Sequence, residues 1–485
     1  MSLENSQIAQ FFKNQTIFIT GGTGFLGKLL IEKLLRTCWD LKKIYVLMRS
    51  KSGKTPQQRF DELFNFPCFD LIRGKKLRDK VFLISGDCKR PLLGLSDQDL
   101  DLLKRETTCF FHVAANVKFD ISFKEASYNV SATRDVVNLT KQMSNLKVFI
   151  YVSTAYSNCI NSHIAEEFYK PPMDTNTFLN FINAVDDDVL QNITHPLLGK
   201  WPNTYVYSKC ITENLIKNSN INVPVAIIRP SIIMNTIEEP IKGWIDNTYG
   251  LIGITFGACV GVVRSFYAGK NNKLNLVPAD HVCNCVLAAT WKAAITQSES
   301  PVIYNCVGEP KSCEDCTKLI NWFYWEFPSE KYLWYKSFKI IENKFWNHVY
   351  FSLHLLPAYF IDLIFFFFGK SARIVQRYTR INRVLEMSSY FATRDWTFDE
   401  DNVISLWKGM SDEDKKIFKF NVKITDWYAY FRNCALGKRL YLLNDPIDTV
   451  PKGQKKLKVL FVLHYAVIIL LCYFMFATLM FMFGF

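Results

Sequence analysis

Three side chains in this sequence have the types and spacing to place a proton on a carbonyl oxygen. Tyr205 and Lys209 stand four apart at the head of a helix-forming run that continues to Lys217, so both project from one helix face. An ammonium beside a phenol favours the phenolate and draws its pKa towards neutrality, which suits Tyr205 as a proton donor. Thr154 follows the apolar run Val148–Val152, where a parallel strand would end, and Ser231 follows Val225–Ile228 in the same way. Ser153 competes with Thr154, because neighbours on a strand point to opposite faces. The Tyr-x-x-x-Lys spacing alone is weak evidence. Tyr332/Lys336 and Tyr335/Lys339 repeat it in an aromatic-rich stretch, where it reads as packing.

A proton donor of this kind needs a hydride donor held opposite it, and residues 16–35 are built to hold one. The β-branched and aromatic run Thr16–Thr20 reads as a buried strand, and an apolar helical pattern runs from Lys28 to Leu35. Between them Gly21, Gly24 and Gly27 fall three apart. A glycine turn between strand and helix lets bare N–H groups approach a pyrophosphate, and the helix N-terminus adds its partial positive charge. Thr20, Gly21, Gly24, Phe25, Leu26 and Gly27 are therefore the candidate contacts of a dinucleotide. Gly22-x4-Gly27-Lys28 also imitates a nucleoside-triphosphate loop, but Leu29 stands where that loop requires a magnesium-binding hydroxyl.

The next strand, Lys43–Met48, ends in Arg49 rather than the carboxylate that an NAD ribose would require. A guanidinium pairs with the extra phosphate of NADPH, so NADPH is the expected cofactor. Val81–Ile84, Cys109–Ala114, Val148–Val152 and Val225–Ile228 read as further strands. Asp87 falls beyond the third strand, near where an adenine would lie. Ala114 and Ala115 give small side chains where a cofactor backbone would pass. Near-continuous apolar strands alternating with helices predict an α/β fold, a Rossmann-type doubly wound parallel sheet with ligands beyond its carboxyl ends.

The totals agree with this. The 485 residues allow two or three domains, and 49% hydrophobic content with 40 Phe leaves apolar surface to spare. The net charge of +13 suits acidic partners. No nucleic-acid module accompanies it, whereas lipid headgroups or phosphate-bearing ligands account for it equally well. The 14 cysteines lack framework spacing, and Cys313-x-x-Cys316 has no second pair, so no metal site is expected. From Val459 to Phe485 no residue is formally charged. At about 1.5 Å per residue this makes roughly 40 Å of helix, enough to span a bilayer. Lys452, Lys455, Lys456 and Lys458 precede it and nothing charged follows, the pattern of a single-pass tail anchor whose bulk faces the cytosol.

TGGTGFLGKLL at 20–30, IYVLMRSK at 44–51, FHVAANVKFD at 111–120, YVSTAYSN at 151–158, KWPNTYVYSK at 200–209 and AIIRPSII at 226–233 together resemble the fatty acyl-CoA reductases. These are membrane-associated, extended members of the short-chain dehydrogenase/reductase superfamily. PIKGWIDN at 240–247, HLLPAYFIDLIF at 354–365, YFATRDWTFDEDN at 390–402 and DWYAYF at 426–431 extend the resemblance from about Thr16 to Leu443. GLIGITFGACVG at 250–261 departs from the glycine-richer, basic-ended stretch that the family pattern suggests, on the side of the substrate lid. The resemblance implies reduction of a long-chain fatty acyl-CoA to a primary alcohol by way of an aldehyde, with two NADPH consumed and CoA released. It gives Thr154 the hydroxyl role, Tyr205 the acid role and Lys209 the role of its partner and ribose ligand, with Pro230 and Ser231 along the nicotinamide. It also implies an endoplasmic reticulum or peroxisome membrane, and a homodimer is allowed for among its partners.

The expected organisation is an NADP-binding reductase domain with its lid at 14–335, a helical C-terminal domain at 344–445 and the anchor at 459–485. Within the second, Val349–Phe368 is strongly apolar, but Pro357 and Asp362 argue against another full span. It reads as a core helix, or as an acyl-binding or membrane-dipping element. Lys370, Arg373, Arg377, Arg380 and Arg383 follow, as a solvated face or a phosphate-binding one. Two other functions fit the same fold. One is reduction of a different carbonyl, a steroid ketone or a nucleotide sugar, and the apolar C-terminal region speaks against the sugar. The other is a non-catalytic, membrane-bound NADPH scaffold, which would have no use for Thr154, Tyr205 and Lys209 together.

Overall fold

The computed structural model describes residues 5–369, 373–421, 423–424 and 426–483. Seven parallel strands form the main sheet: β1 (Thr16–Thr20), β2 (Lys43–Met48), β3 (Val81–Ser85), β4 (Cys109–His112), β5 (Val148–Val152), β6 (Val225–Ile228) and β7 (Val302–Tyr304). Their spatial order is β3-β2-β1-β4-β5-β6-β7, the doubly wound arrangement expected from the strand pattern. The order reverses between β1 and β4, where Thr20 is level with His112. β7 was not expected, because three residues are too few to show a period.

The sheet forms where the pattern is most uniformly apolar. All five residues of β1 and all five of β5 are buried, as strands covered on both faces must be. Phe18, Phe110 and Phe149 run across three neighbouring strands, with ring centroids 4.6 and 5.7 Å apart, and tie the middle of the sheet together. Four helices matter for the site: α1 (Phe25–Thr37), α2 (Pro56–Leu63), α3 (Phe123–Thr140) and α4 (Thr204–Lys217). The polar stretch after Arg49 does fold into α2. Pro56 opens it, and Thr55 and Gln58 cap it reciprocally.

The chain divides into two compact units that interleave in sequence. The sheet unit comprises residues 1–242, 273–311 and 394–425, and the second unit residues 243–272, 312–393 and 426–485. The second unit is mainly helical. It includes α5 (Lys344–Phe367), α6 (Ile374–Ala392) and α7 (Val450–Phe483). α5 runs unbroken through Pro357, and Asp362 is not a stray charge within it. Its two carboxylate oxygens accept the N–H groups of Ile374 (2.8 Å) and Val375 (3.0 Å) at the start of α6. The acid thus caps the next helix of the hairpin. The apolar face of α5 is exposed, Phe366 and Phe367 by 74% and 77%, so α5 is not a core helix. α5 and α7 are both long and apolar enough to cross a membrane. Arg373, Arg377, Arg380 and Arg383 are exposed at or along α6, and Lys370 lies outside the described residues.

Candidate active site

The glycine turn after β1 is shaped by contacts no side chain could survive. Gly21 has φ +80°, and a Cβ there would lie 2.6 Å from the Ala114 backbone nitrogen. A Cβ on Gly27 would stand 2.2 Å from the Gly21 carbonyl oxygen, so only glycine lets α1 start this close to the turn. Gly22 belongs to the same set, since its Cβ would meet Val46 Cγ1 at 2.5 Å. Gly24 is the N-cap of α1 with no side-chain cap, leaving first-turn N–H groups for a ligand oxygen. Phe25 and Leu26 open that helix, and Thr20 ends β1 with its hydroxyl bonded to His112 Nδ1 at 2.7 Å. Ala114 donates its N–H to the same hydroxyl at 3.5 Å. The tight backbone approach and the open helix terminus fit a dinucleotide pyrophosphate.

A basic cluster surrounds the end of β2. Arg49 Nη1 reaches Asp87 Oδ2 at a long 3.4 Å, so the two residues singled out for the adenosine end are neighbours. Arg59 on α2 was missed. Its guanidinium donates to the Arg49 carbonyl at 2.6 Å and to Thr23 Oγ1 at 3.1 Å, joining the glycine turn to the β2 end. The Lys51 ammonium is pulled down, first by burial and then by the like charges of Arg59, Arg49, Lys118 and Lys28. That many cations crowded together suit a ligand carrying more than one phosphate.

Tyr205 and Lys209 open α4 as the spacing requires, behind an Asn203 cap. Lys209 does not point its bonds at Tyr205. Its Nζ donates to the Val152 carbonyl at 2.7 Å and to Tyr151 Oη at 3.1 Å, and lies 4.5 Å from the Tyr151 ring centroid. Burial draws the Lys209 ammonium down to about 7, with Glu213 acting against it. The expected lowering of Tyr205 is absent in this arrangement: burial pushes its phenol up, and the ring stacks on Phe119 at 6.1 Å. A phenol held protonated is still a donor. An ammonium has three N–H groups, and two are engaged by Tyr151 and Val152.

The two candidate hydroxyls at the end of β5 have different partners. Ser153 Oγ donates to Glu213 Oε1 at 2.5 Å, whereas Thr154 Oγ1 accepts the Tyr156 N–H at 3.3 Å and keeps its own O–H. Glu213 is the second residue missed, one turn beyond Lys209 on the same face of α4. Its carboxylate also takes Ser157 Oγ (3.1 Å) and the fork of Arg229, Nε at 3.0 Å and Nη2 at 2.7 Å. Arg229 in turn donates to the Ala165 and Glu167 carbonyls. This buried network pins the ends of β5 and β6 to α4, and with them Thr154, Pro230 and Ser231. The repeat Tyr205, Lys209, Glu213 at intervals of four was the signal available. His112 was also missed. Held between Thr20 and Thr133 hydroxyls (2.7 and 3.0 Å), it is kept neutral by burial, its pKa down to about 3.

Comparison with known proteins shows the family and the fold. Family profiles described as Male sterility protein match residues 19–286, an NAD-binding region, and residues 353–445. The fatty acyl-CoA reductase wat of Drosophila melanogaster is 36% identical over 475 residues, covering 95% of this chain and 90% of that protein. Fatty acyl-CoA reductase 1 of Homo sapiens is 34% identical over 466 residues, covering 93% and 89%. Among solved structures, the terminal R domain of the myxalamid PKS-NRPS pathway superimposes with a TM-score of 0.61 at 19% identity, covering 90% of this chain and 93% of that one, which supports the fold. The chain is an oxidoreductase with a nicotinamide-cofactor fold, and it belongs to the fatty acyl-CoA reductase family.

Proposed function

We propose that this protein is a membrane-anchored enzyme that uses NADPH to reduce long-chain fatty acyl-CoA to a primary alcohol through an aldehyde, releasing CoA. The observation that carries the reading is the convergence, in one unit, of the glycine turn, the cations after β2, and the Thr154–Tyr205–Lys209 set at the carboxyl end of β5. The turn and the N-terminus of α1 would hold the pyrophosphate. Arg49 and Arg59 would hold the 2′-phosphate, Asp87 would lie by the adenine, Lys209 would bind the ribose, and Pro230 and Ser231 would flank the nicotinamide. NADPH, when bound, supplies the hydride.

Thr154 and Tyr205 donate hydrogen bonds to the thioester oxygen and stabilise the charge that grows there as the carbonyl carbon is attacked. The resulting tetrahedral adduct collapses with cleavage of its C–S bond, so CoA leaves as the thiolate, which takes a proton from solvent, and an aldehyde remains. In the second round Tyr205 transfers its proton to the aldehyde oxygen, giving the alcohol. The raised phenol keeps that proton available until the transfer, and the positive charge of Lys209 stabilises the phenolate as it forms. α7 would anchor the protein with its bulk facing the cytosol, in keeping with the lysines ahead of its apolar run.

The test is turnover of detergent-solubilised protein on a ladder of acyl-CoA chain lengths, with NADPH or NADH, following free thiol and extracted alcohol together. Two NADPH oxidised per thiol and per alcohol is the expected result. Thiol release without NADPH consumption, or turnover undiminished in Tyr205→Phe, would overturn the assignment.

A further inference from the structure

α5 presents an apolar stripe that the reduction does not use. Leu353, Leu356, Phe360, Leu363 and Phe367 recur at intervals of three and four, so they lie along one side of the helix, and each is at least half exposed. From Phe345 to Phe368 the only formal charge is Asp362. Its carboxylate is engaged by the N–H groups of Ile374 and Val375, so it faces α6 and not the stripe. A continuous exposed apolar stripe of this length marks a surface that something covers.

Two features say what covers it. The first is charge. α6 brings Arg373, Arg377 and Arg383 to the same hairpin, all exposed and none in an ion pair among the described residues. The second is the nearness of α7. The Arg264 guanidinium lies 5.8 Å from the ring centroid of Trp334, whose indole bonds His464 of α7. It is also within electrostatic range of both His464 and His354 of α5. The stripe therefore begins beside the His464 turn, beyond which α7 runs on to Phe483. An apolar stripe, arginines beside it that lack acidic partners, and adjacency to the anchor fit a bilayer with anionic headgroups. A second crossing does not fit. The bonds from Asp362 hold the start of α6 against the last third of α5, so a spanning α5 would carry Asp362, Arg373 and Arg377 into hydrocarbon.

We propose that the α5–α6 hairpin seats on the surface of an anionic bilayer, with the stripe of α5 among the acyl chains and the arginines of α6 against lipid phosphates. It makes a second membrane contact, in the leaflet that α7 enters first. This contact presupposes that α7 is the anchor and is independent of the reduction.

The experiment is labelling of the full chain by a membrane-impermeant maleimide, one copy per lipid nanodisc. Reactive thiols are placed singly, by Phe367→Cys on α5, Ile469→Cys on α7 and Val189→Cys on the exposed surface of the sheet unit, in a Cys472→Ser background. The discs contain phosphatidylcholine alone or with phosphatidylserine. With phosphatidylserine, position 367 should label about tenfold or more slowly than position 189, and position 469 should be protected in both lipids. Protection at 367 should weaken severalfold when phosphatidylserine is omitted, and again in Arg377→Glu/Arg383→Glu; the lipid change alters no residue, so it tests the charge dependence even where that variant misfolds. Fast labelling at 367 with 469 protected would overturn the proposal and leave the anchor standing. Fast labelling at both would overturn the anchor, and the hairpin contact with it. Protection at 367 that is indifferent to phosphatidylserine would overturn the headgroup pairing. Protection that appears only with two copies per disc would make a second copy of this chain the partner and overturn it too.

Discussion

Arg49→Ala isolates the discrimination between the two nicotinamide cofactors. The guanidinium stands at the end of β2, partly exposed, and its contact with Asp87 at 3.4 Å is too long to hold it firmly. It is therefore available to a phosphate. A hydrogen bond between charged groups contributes about 1.5–3 kcal/mol, and about 1.4 kcal/mol corresponds to a tenfold change in affinity. Removing it should raise the Kd for NADPH about 10- to 100-fold. Arg59, Lys51, Lys28 and Lys118 remain, so the loss is one interaction and not the whole basic field. NADH has no 2′-phosphate, and its Kd should change less than about threefold on the same physical grounds. The measurement is fluorescence titration with each cofactor in the absence of acyl-CoA, at low salt and again at about 0.5 M, where screening should shrink the difference. Equal weakening for both cofactors, or a wild type that prefers NADH, would refute the reasoning.

The remaining predictions concern the reacting end. Ser153→Ala should lower the melting temperature, because Glu213 loses the 2.5 Å donor, but keep turnover within about threefold. Thr154→Ala should do the reverse, losing about a hundredfold or more in kcat with stability intact; the opposite ranking would exchange their roles. Glu213→Gln keeps an acceptor for Arg229 but removes the charge that holds the Lys209 ammonium up against burial. The groups that act on Lys209 are Tyr151, His112 and Glu213. Activity that needs the ammonium is present below its pKa of about 7 and lost as pH rises through it, so the alkaline limb of kcat should move down in pH, by about one unit for roughly 1.4 kcal/mol of lost attraction. An unmoved limb would show that Glu213 acts only as a strut. Gly27→Ala would put a methyl 2.2 Å from the Gly21 carbonyl, so NADPH binding should fall beyond detection while the protein stays folded by near-UV circular dichroism.

The strands and the glycine turn were legible because their signals are local. Short, uniformly apolar runs of four to six residues between helical stretches read as strands covered on both faces, and a turn that must press its backbone on a neighbour admits only glycine. Tyr205, Lys209 and Thr154 were singled out by position at strand and helix ends. Arg59 and Glu213 were not, because each acts through a partner distant in sequence. Arg59 matters for bonding Thr23, and Glu213 for joining Ser153 to Arg229. Lys209 bonds Tyr151, 58 positions away, and burial alone pushes the Tyr205 phenol up, so the four-residue spacing did not foretell its direction. Asp362 looked like an objection to a long apolar helix, and only the following helix shows what the charge is for.

α7 begins inside the second unit. Gly453 passes so close to the Pro328 carbonyl that a Cβ would stand 2.2 Å from its oxygen, Lys456 Nζ donates to the Glu330 carbonyl at 2.5 Å, and the Trp334 indole bonds His464 Nδ1 at 3.1 Å. Beyond His464 the helix continues from Tyr465 to Phe483, about 28 Å at about 1.5 Å per residue, close to the thickness of a hydrocarbon core. In the anchored state proposed above there is then no slack leash. The second unit rides on a stiff mast whose lower turns are already bolted to it, so any tilt of that mast in the lipid becomes a tilt of the unit. Lengthening the mast by one full turn above Tyr465 would raise the unit by about 5.4 Å and leave its internal contacts untouched.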